Sequence, residues 1–313
     1  MKFVDNLKNW KHDIVANLKY YIIPPLAIFV LGIVMWIALG MNLGIDFTGG
    51  TAVSVQFGSQ IEDENVYNQK LDEIKEVMKN YDLTVSLDQR MGEGESARIQ
   101  VRFQNISGKS DEEMQSIAEA LVGDLESKYP SYTVQNENRI SASASSSLIL
   151  NALLAVCIAM ALIVVYLAIR FKKWTFGVCS IVSLLHDVLI MFSFMLIFHL
   201  EISSTFIAAL ITIIGYSINS NVIIFDRIRE NLKLMPKESL DVITNVSIKQ
   251  TLTRTLVTTF TTFLVVFVLL FVGISGITSF VLPITIGLVA SFYSSVFISS
   301  ALWAKMNKQK INK

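Results

Sequence analysis

Two neighbouring residues inside an apolar stretch, His186 and Asp187, are the first in this sequence whose types invite chemistry. An ionisable group at membrane depth is costly to charge, so it is a candidate for carrying a proton or holding an ion. Neighbours in sequence point about 100° apart on a helix, so the pair is not expected to share one partner. One should face a cavity and the other a neighbouring helix; a scaffold role for Asp187, tying two helices by hydrogen bonds, stands beside the functional one. A polar cluster follows in Gly215-Tyr216-Ser217-Ile218-Asn219-Ser220-Asn221, and Asp226-Arg227 is expected to end that helix. Helical periodicity puts Tyr216, Ser217, Ser220 and Asn221 on one face, with Thr212, Gly215, Asn219 and Asp226 on the next. Amides in hydrocarbon need partners, so this helix is expected at the centre of a bundle. Thr251, Thr255, Thr258 and Thr259, then Ser291, Ser294, Ser295, Ser299 and Ser300, read as small residues for close helix packing. Arg254 reads as reaching for the polar interface.

The elements that must position these residues are apolar blocks of helical length. Hydrophobic residues make up 52% of the 313, and formal charge is zero. The blocks run over 21–39, 148–169, 176–198, 206–225, 256–272 and 280–303, each long enough to cross about 30 Å of hydrocarbon. The first is too long for a cleaved signal peptide. Lys2, Lys8, Lys11 and Lys19 lie before it, Arg170, Lys172 and Lys173 follow the second, and Arg227 to Arg254 and Lys305 to Lys313 complete the basic segments. The short loops around Glu201 and Ser275 carry no Lys or Arg. The positive-inside rule then places both termini in the cytoplasm. The expected organisation is a cytoplasmic segment 1–20, span one at 21–40, an external domain at 41–143, and a five-span bundle at 144–313. Cys157 and Cys179 both fall in spans and read as packing residues, with no metal site expected.

The external segment alternates and then turns helical. Val53, Val55 and Phe57 alternate with Ala52, Ser54 and Gln56 as a half-buried strand. Tyr67, Leu71, Ile74, Met78 and Tyr81 recur at helical spacing, and Leu83, Val85 and Leu87 alternate, as do Ile99, Val101 and Phe103 beyond a Gly92/Gly94 turn. Ser110 and Glu113 form a capping box before Met114, Ile117, Leu121, Val122 and Leu125, and Tyr132 and Val134 close with a strand. Strand, helix, strand, strand, helix, strand is the order of a ferredoxin-like α+β domain, expected to fold without help from the membrane part. Nine Lys/Arg against eighteen Asp/Glu over 41–143 argue against nucleic acid or anionic lipid. Ser141–Ser147 reads as a flexible neck or a small-residue helix start.

Several strings together resemble the SecD/SecF family of protein-export membrane proteins. Gly44-Ile45-Asp46-Phe47-Thr48-Gly49-Gly50-Thr51 resembles its opening motif, and Leu185-His186-Asp187-Val188-Leu189-Ile190 its third-span motif. Ile214 to Asn219 with Phe225-Asp226-Arg227-Ile228-Arg229-Glu230-Asn231, Gln250 to Thr255, and Tyr293-Ser294-Ser295 match in the same order. One small external domain is similar to the SecF branch. The resemblance implies half of a resistance-nodulation-division type bundle, completed by a SecD-like subunit, in the bacterial cytoplasmic membrane. It implies work beside the SecYEG channel on unfolded polypeptide, driven by a proton or sodium gradient, with no cofactor and no enzymatic activity. Consistently, the sequence has no Walker-type glycine loop. Two alternatives remain: a non-coupling structural subunit of the same complex, or half of a small-molecule or lipid exporter.

The resemblance also raises a discrepancy. The family pattern has an acidic residue where Ser220 stands, followed here by Asn221, and a serine hydroxyl does not titrate near neutral pH. Coupling then rests on a partner's carboxylate, or on hydroxyl and amide oxygens holding sodium, or on Asp187; the first is the favoured reading. The ion-coupling candidates are Asp187, Asn219, Ser220, Asn221 and Arg254, the last matching the family's fifth-span arginine. Gly44, Asp46, Thr48, Gly49, Gly50, His186, Gly215, Asp226 and Arg227 are expected to serve structure, with Gly49 and Gly50 turning the chain from helix to strand and Asp46 capping that turn.

Overall fold

The structure is a computed structural model describing residues 13–57, 63–91, 97–106, 108–131, 133–171, 173–271 and 275–311. Lys2, Lys8, Lys11, Gly92, Gly94, Tyr132, Lys172 and Lys313, to which the sequence assigned roles, lie outside the described residues.

Among the described residues, six helices are long and apolar enough to cross a membrane. The first is α1, Leu18–Leu39. It contains Pro24 and Pro25, and a proline at position i strips the carbonyl at i−4 of its helical donor. For Pro25 that carbonyl belongs to Tyr21, and Tyr293 Oη donates to it at 2.8 Å from the sixth span. After the short α2, Ile45–Thr48, the chain enters the external domain: β1 Gly50–Gln56, α3 Glu64–Lys79, β2 Val85–Met91, β3 Arg98–Gln104, α4 Asp111–Lys128 and β4 Thr133–Ile140.

The four strands form one antiparallel sheet in the order β2-β3-β1-β4, the ferredoxin-like arrangement. Val53, Val55, Ile99, Val101 and Phe103 on one face join Leu71, Ile74, Met78, Met114, Ala118, Leu121 and Leu125 in a self-contained core. The Ser110–Glu113 capping box is present with both bonds made, at 2.7 and 3.2 Å. Two expectations need correction. β1 is covered on both faces, because Ala52 and Ser54 are buried along with Val53 and Val55. The second face carries Gln89, which donates to Ser279 of the sixth span at 3.3 Å, and Arg102, which pairs with Glu201. A register shift between Val85 and Leu87 also breaks their alternation: Val85 stands opposite Phe103 and Leu87 opposite Arg102, on different faces.

The helix α5, Ala142–Phe171, resolves the neck as a helix start. Then come α6 Trp174–Ile197, α7 Ser204–Leu234 and α8 Leu240–Phe271. The sixth span crosses as α9 Ser275–Tyr293, a π-helical segment Ser294–Ser299, and α10 Ser300–Ile311. Asp226-Arg227 does not end α7, which runs to Leu234 and stops just before Pro236, where proline disfavours helix in the residue before it. Phe171, Phe176, Phe225 and Trp303 stack where spans two, three, four and six converge, with Phe176 and Trp303 centroids 4.8 Å apart. Ile14 and Val15, ahead of α1, are buried in the same core, and Asn245 holds that segment through Ile14 N–H at 3.0 Å.

Candidate functional site

Spacing of four residues puts Ser183 and Asp187 on one face of α6, and Ser217 and Asn221 on one face of α7. The two faces meet. Asp187 is 1% exposed. Its Oδ2 accepts from Ser217 Oγ at 2.5 Å, and Ser294 also hydrogen-bonds the carboxylate. Ser183 Oγ donates to Ser294 Oγ at 2.8 Å. Asn221 Nδ2 donates to Ser183 Oγ at 3.2 Å and to the Ser217 carbonyl at 3.3 Å. One buried chain of polar groups thus joins spans three, four and six. It enters span six at the first residue of the π-helical segment.

His186 Nδ1 lies 2.9 Å from Asp187 Oδ1, so the neighbours bond to each other while their remaining contacts differ. His186 lines a cavity of about 350 Å³ with Pro24, Pro25, Ile190, Phe194 and Tyr293, stacking on Tyr293 with centroids 6.1 Å apart. Its Nε2 is buried without a hydrogen-bond partner.

The other candidates divide. Ser220 is buried beside Asn221 but stands outside this hydrogen-bonded chain. Asn219, Gly215 and Thr212 are exposed on the opposite side of α7, as is Arg254 on α8. Arg254 lines an open groove of about 870 Å³ with Asp226, Arg227, Glu230, Lys249 and Gln250. Within that groove Arg227 donates to Gln250 at 2.6 Å and pairs with Glu230, while Asp226 pairs with Arg170 and Arg229. Asp226 and Arg227 therefore fasten α7 to α5 and α8. The central position expected for α7 holds for one face; its second polar face is uncovered in this chain.

The opening motif is a junction. Leu43 and Ile202 form a parallel bridge, with Gly44 N–H to Ile202 O at 2.9 Å and Ile202 N–H to Asn42 O at 2.8 Å. Asp46 does not cap its own turn. Its Oδ2 accepts from Ser204 N–H at 2.8 Å and from Ser204 Oγ at 2.5 Å, so it caps the N-terminus of α7, which Ser203 leaves uncapped. Thr48 Oγ1 donates to the Gly44 carbonyl at 3.2 Å. Gly49 has φ of 73°, which favours glycine. A Cβ on Gly50 would lie 2.4 Å from the Phe103 carbonyl oxygen.

Sequence reasoning missed Glu201 and Arg102, which close this junction at 3.1 Å. Burial holds the Glu201 carboxyl above its usual range, with Arg102 opposing the shift. The signal available was a lone acid in a short loop, and nothing in the pattern named its partner. Ser294 reads as packing in the sequence; its one-turn spacing from Ser291 matches that reading equally well.

A family model described as "Protein export membrane protein SecD/SecF, C-terminal" matches residues 121–309, and another, "SecD/SecF GG Motif", matches 34–61. The chain is 35% identical over 308 residues to "Protein translocase subunit SecDF" of Bacillus subtilis, covering 97% of this chain and 39% of that one. It is 34% identical over 272 residues to "Protein translocase subunit SecF" of Cereibacter sphaeroides, covering 85% of this chain and 81% of that one. The crystal structure of SecDF, a translocon-associated membrane protein from Thermus thermophilus, superposes with a TM-score of 0.75 at 30% identity, over 96% of this chain and 39% of that one. The chain therefore spans well under half of its SecDF relatives and most of its SecF relatives. It is a multi-pass membrane protein that belongs to the SecD/SecF family of protein-export membrane proteins.

Proposed function

We propose that the chain acts as the SecF-type subunit of a bacterial protein translocase in the cytoplasmic membrane. A SecD-like subunit completes the bundle, and the pair works beside a SecYEG channel on unfolded polypeptide, drawing on a proton or sodium gradient. The observation that carries this reading is the uncovered polar face of α7. Thr212, Gly215 and Asn219 lie at membrane depth, exposed from their own bundle. Polar groups in hydrocarbon are placed against protein or water, so this face calls for a second membrane protein. The SecDF relatives, in which the matched region is part of a longer chain, support a SecD-like segment as that protein.

Co-expression with a SecD-like chain and cysteine cross-linking from position 219 tests the assembly. A specific cross-link to the partner's membrane spans is expected, and its absence in a co-purifying complex would count against this face as the seam. Orientation is tested by labelling single cysteines at Lys109 and Lys173 in intact cells, where the first alone should react. A non-coupling role draws its support from Ser220, which lacks the acid of the family pattern. Secretion of a reporter that ignores collapse of both ion gradients would favour that second reading.

A further inference from the structure

We infer that Pro24 and Pro25 make a hinge in span one, and that the Tyr293 hydroxyl of span six is the latch that holds it closed. The hinge follows from backbone chemistry. Two consecutive prolines leave the carbonyls of Tyr20 and Tyr21 without the N–H groups that helix geometry assigns to them. Helix α1 nevertheless runs on to Leu39. Sharp bends in long helices arise at prolines, so this turn depends on support from outside its own helix.

Tyr293 gives that support, its Oη donating to the Tyr21 carbonyl at 2.8 Å. A carbonyl inside a membrane bundle has no bulk water to turn to, so the closed state gains a bond that the open state lacks. The Tyr21 ring stacks on Phe297 with centroids 4.7 Å apart, and Phe297 lies 5.1 Å from the Tyr293 ring. Tyr21 is therefore held through both its backbone and its ring. Tyr293 is the last residue of α9, and the π-helical segment begins at Ser294. Rewinding of such a segment re-aims the residues beside it, turning the hydroxyl toward Tyr21 or away from it.

Packing around the break is an independent ground. Two cavities, of about 350 Å³ and about 390 Å³, share Pro25, His186 and Ile190 as walls. Protein interiors are close-packed, so voids against a weakened turn give it room to bend. On either side of the break α1 is held. Ile14, Val15 and Leu18 are buried at its start, where Asn245 accepts from Ile14 N–H. In its second half a Cβ on Gly32 would lie 2.9 Å from Ser193 Cβ, so that half meets α6 at backbone distance. That half leads through Gly40 to the Leu43–Ile202 bridge that seats the external domain. A bend at Pro25 tilts it about its contact with Ser193 and shifts the seat. Only the use of this motion in export rests on the translocase reading.

The test is a double-mutant cycle read by distance. Full-length protein carrying Cys157→Ala and Cys179→Ala is reconstituted in nanodiscs, with spin labels on Lys19→Cys and Ile37→Cys, separated by about 27 Å of intact helix. The parent chain should give one narrow distance. Tyr293→Phe keeps the ring and removes the donor, and should add a second, shorter distance. Pro25→Ala restores an N–H to the Tyr21 carbonyl, so in that background Tyr293→Phe should give the single distance again. An unchanged distribution in Tyr293→Phe overturns the latch, and so does a second distance that persists in the double variant. If Tyr293→Phe alone fails to fold, the double variant decides: it should fold with the single distance, and its failure overturns the latch. In a reporter assay, the locked Pro25→Ala chain should export several-fold less while its partner stays bound. Undiminished export there overturns the part of the hinge in export. Absence of export from the unmodified chain fails the translocase reading alone, with the distances still deciding the hinge.

Discussion

The two polar faces of α7 carry similar chemistry and have opposite surroundings. Ser217 and Asn221 are buried against α6 and span six, and their bonds are made within the chain. Thr212, Gly215 and Asn219, about half a turn around the same helix, are exposed. An amide in a membrane helix is thus no guide by itself to what it touches. What separates Asn219 from Asn221 is which neighbouring span supplies partners at its height. The inward face binds this chain together and the outward face is left for another chain, so substitutions on the two faces should divide between folding and assembly.

The largest effect is expected at glycines. A Cβ on Gly287 would lie 2.5 Å from Ile213 Cγ1 and 2.8 Å from Met191 Sδ, where spans three, four and six cross. Gly287→Ala should destabilise the purified chain by about 2 kcal/mol, as overpacking of a tight core does. A Cβ on Gly215 would meet nothing within 4 Å. Gly215→Ala should leave the lone chain unchanged or stabilise it by up to about 1 kcal/mol through helix propensity, while weakening capture of a SecD-like partner. Thermal unfolding of the lone chain, set beside co-purification, reads both. Equal destabilisation by the two substitutions would break the distinction between faces.

The asparagines sharpen it. Asn221→Leu removes two bonds and leaves Ser183 without its donor, and should cost about 1–2 kcal/mol in the lone chain. Asn219→Leu should change that stability by under about 0.5 kcal/mol, and reduce export through the lost seam. Denaturation in graded detergent mixtures provides the comparison. A stability loss at Asn219 as large as at Asn221 would mean that the outward face is covered within the chain.

Much of this was legible before the structure. The six apolar blocks fell where helices stand, because twenty apolar residues in a row leave few other structures. The sheet order followed from alternation and helical spacing in one short domain, and the capping box from two residues three apart. The limits were equally physical. Val85 and Leu87 alternate in sequence, yet a bulge puts them on opposite faces, and period-two reasoning cannot see an extra residue. Asp46 looked like a turn cap because local bonds are the ones that sequence suggests; its partner is Ser204, 158 positions away. For the candidate site, periodicity grouped Ser217 with Asn221 correctly but put Ser220 in the same group. Ser294 could not be told from packing serines without knowing which of them met Asp187.

The smallest effect is expected where the membrane bundle meets the external domain. There the contrast is between bonds sealed in hydrocarbon and an ion pair at the wet edge. Arg102 and Glu201 are 3.1 Å apart, with side chains 24% and 11% exposed. Partial exposure limits such a pair to about 1 kcal/mol or less. Burial raises the Glu201 carboxyl above its ordinary 4.5; the Arg102 charge and hydrogen bond lower it, and the nearby Asp46 adds to the rise. The docked form therefore holds a proton more tightly than the undocked form. Its contribution to docking is full below about pH 4.5 and falls as pH rises through the docked value. Hydrogen exchange at the β1 amides should accordingly be slower at pH 5 than at pH 7, after correction for the intrinsic rate. Glu201→Gln should flatten that dependence. Arg102→Ala should steepen it, because the charge that opposes the burial term is gone. The Asp187 cluster is sealed from this edge, so its substitutions should leave the slope alone. A slope unchanged in Glu201→Gln would assign the pH response to another group and remove Glu201 from the junction's electrostatics.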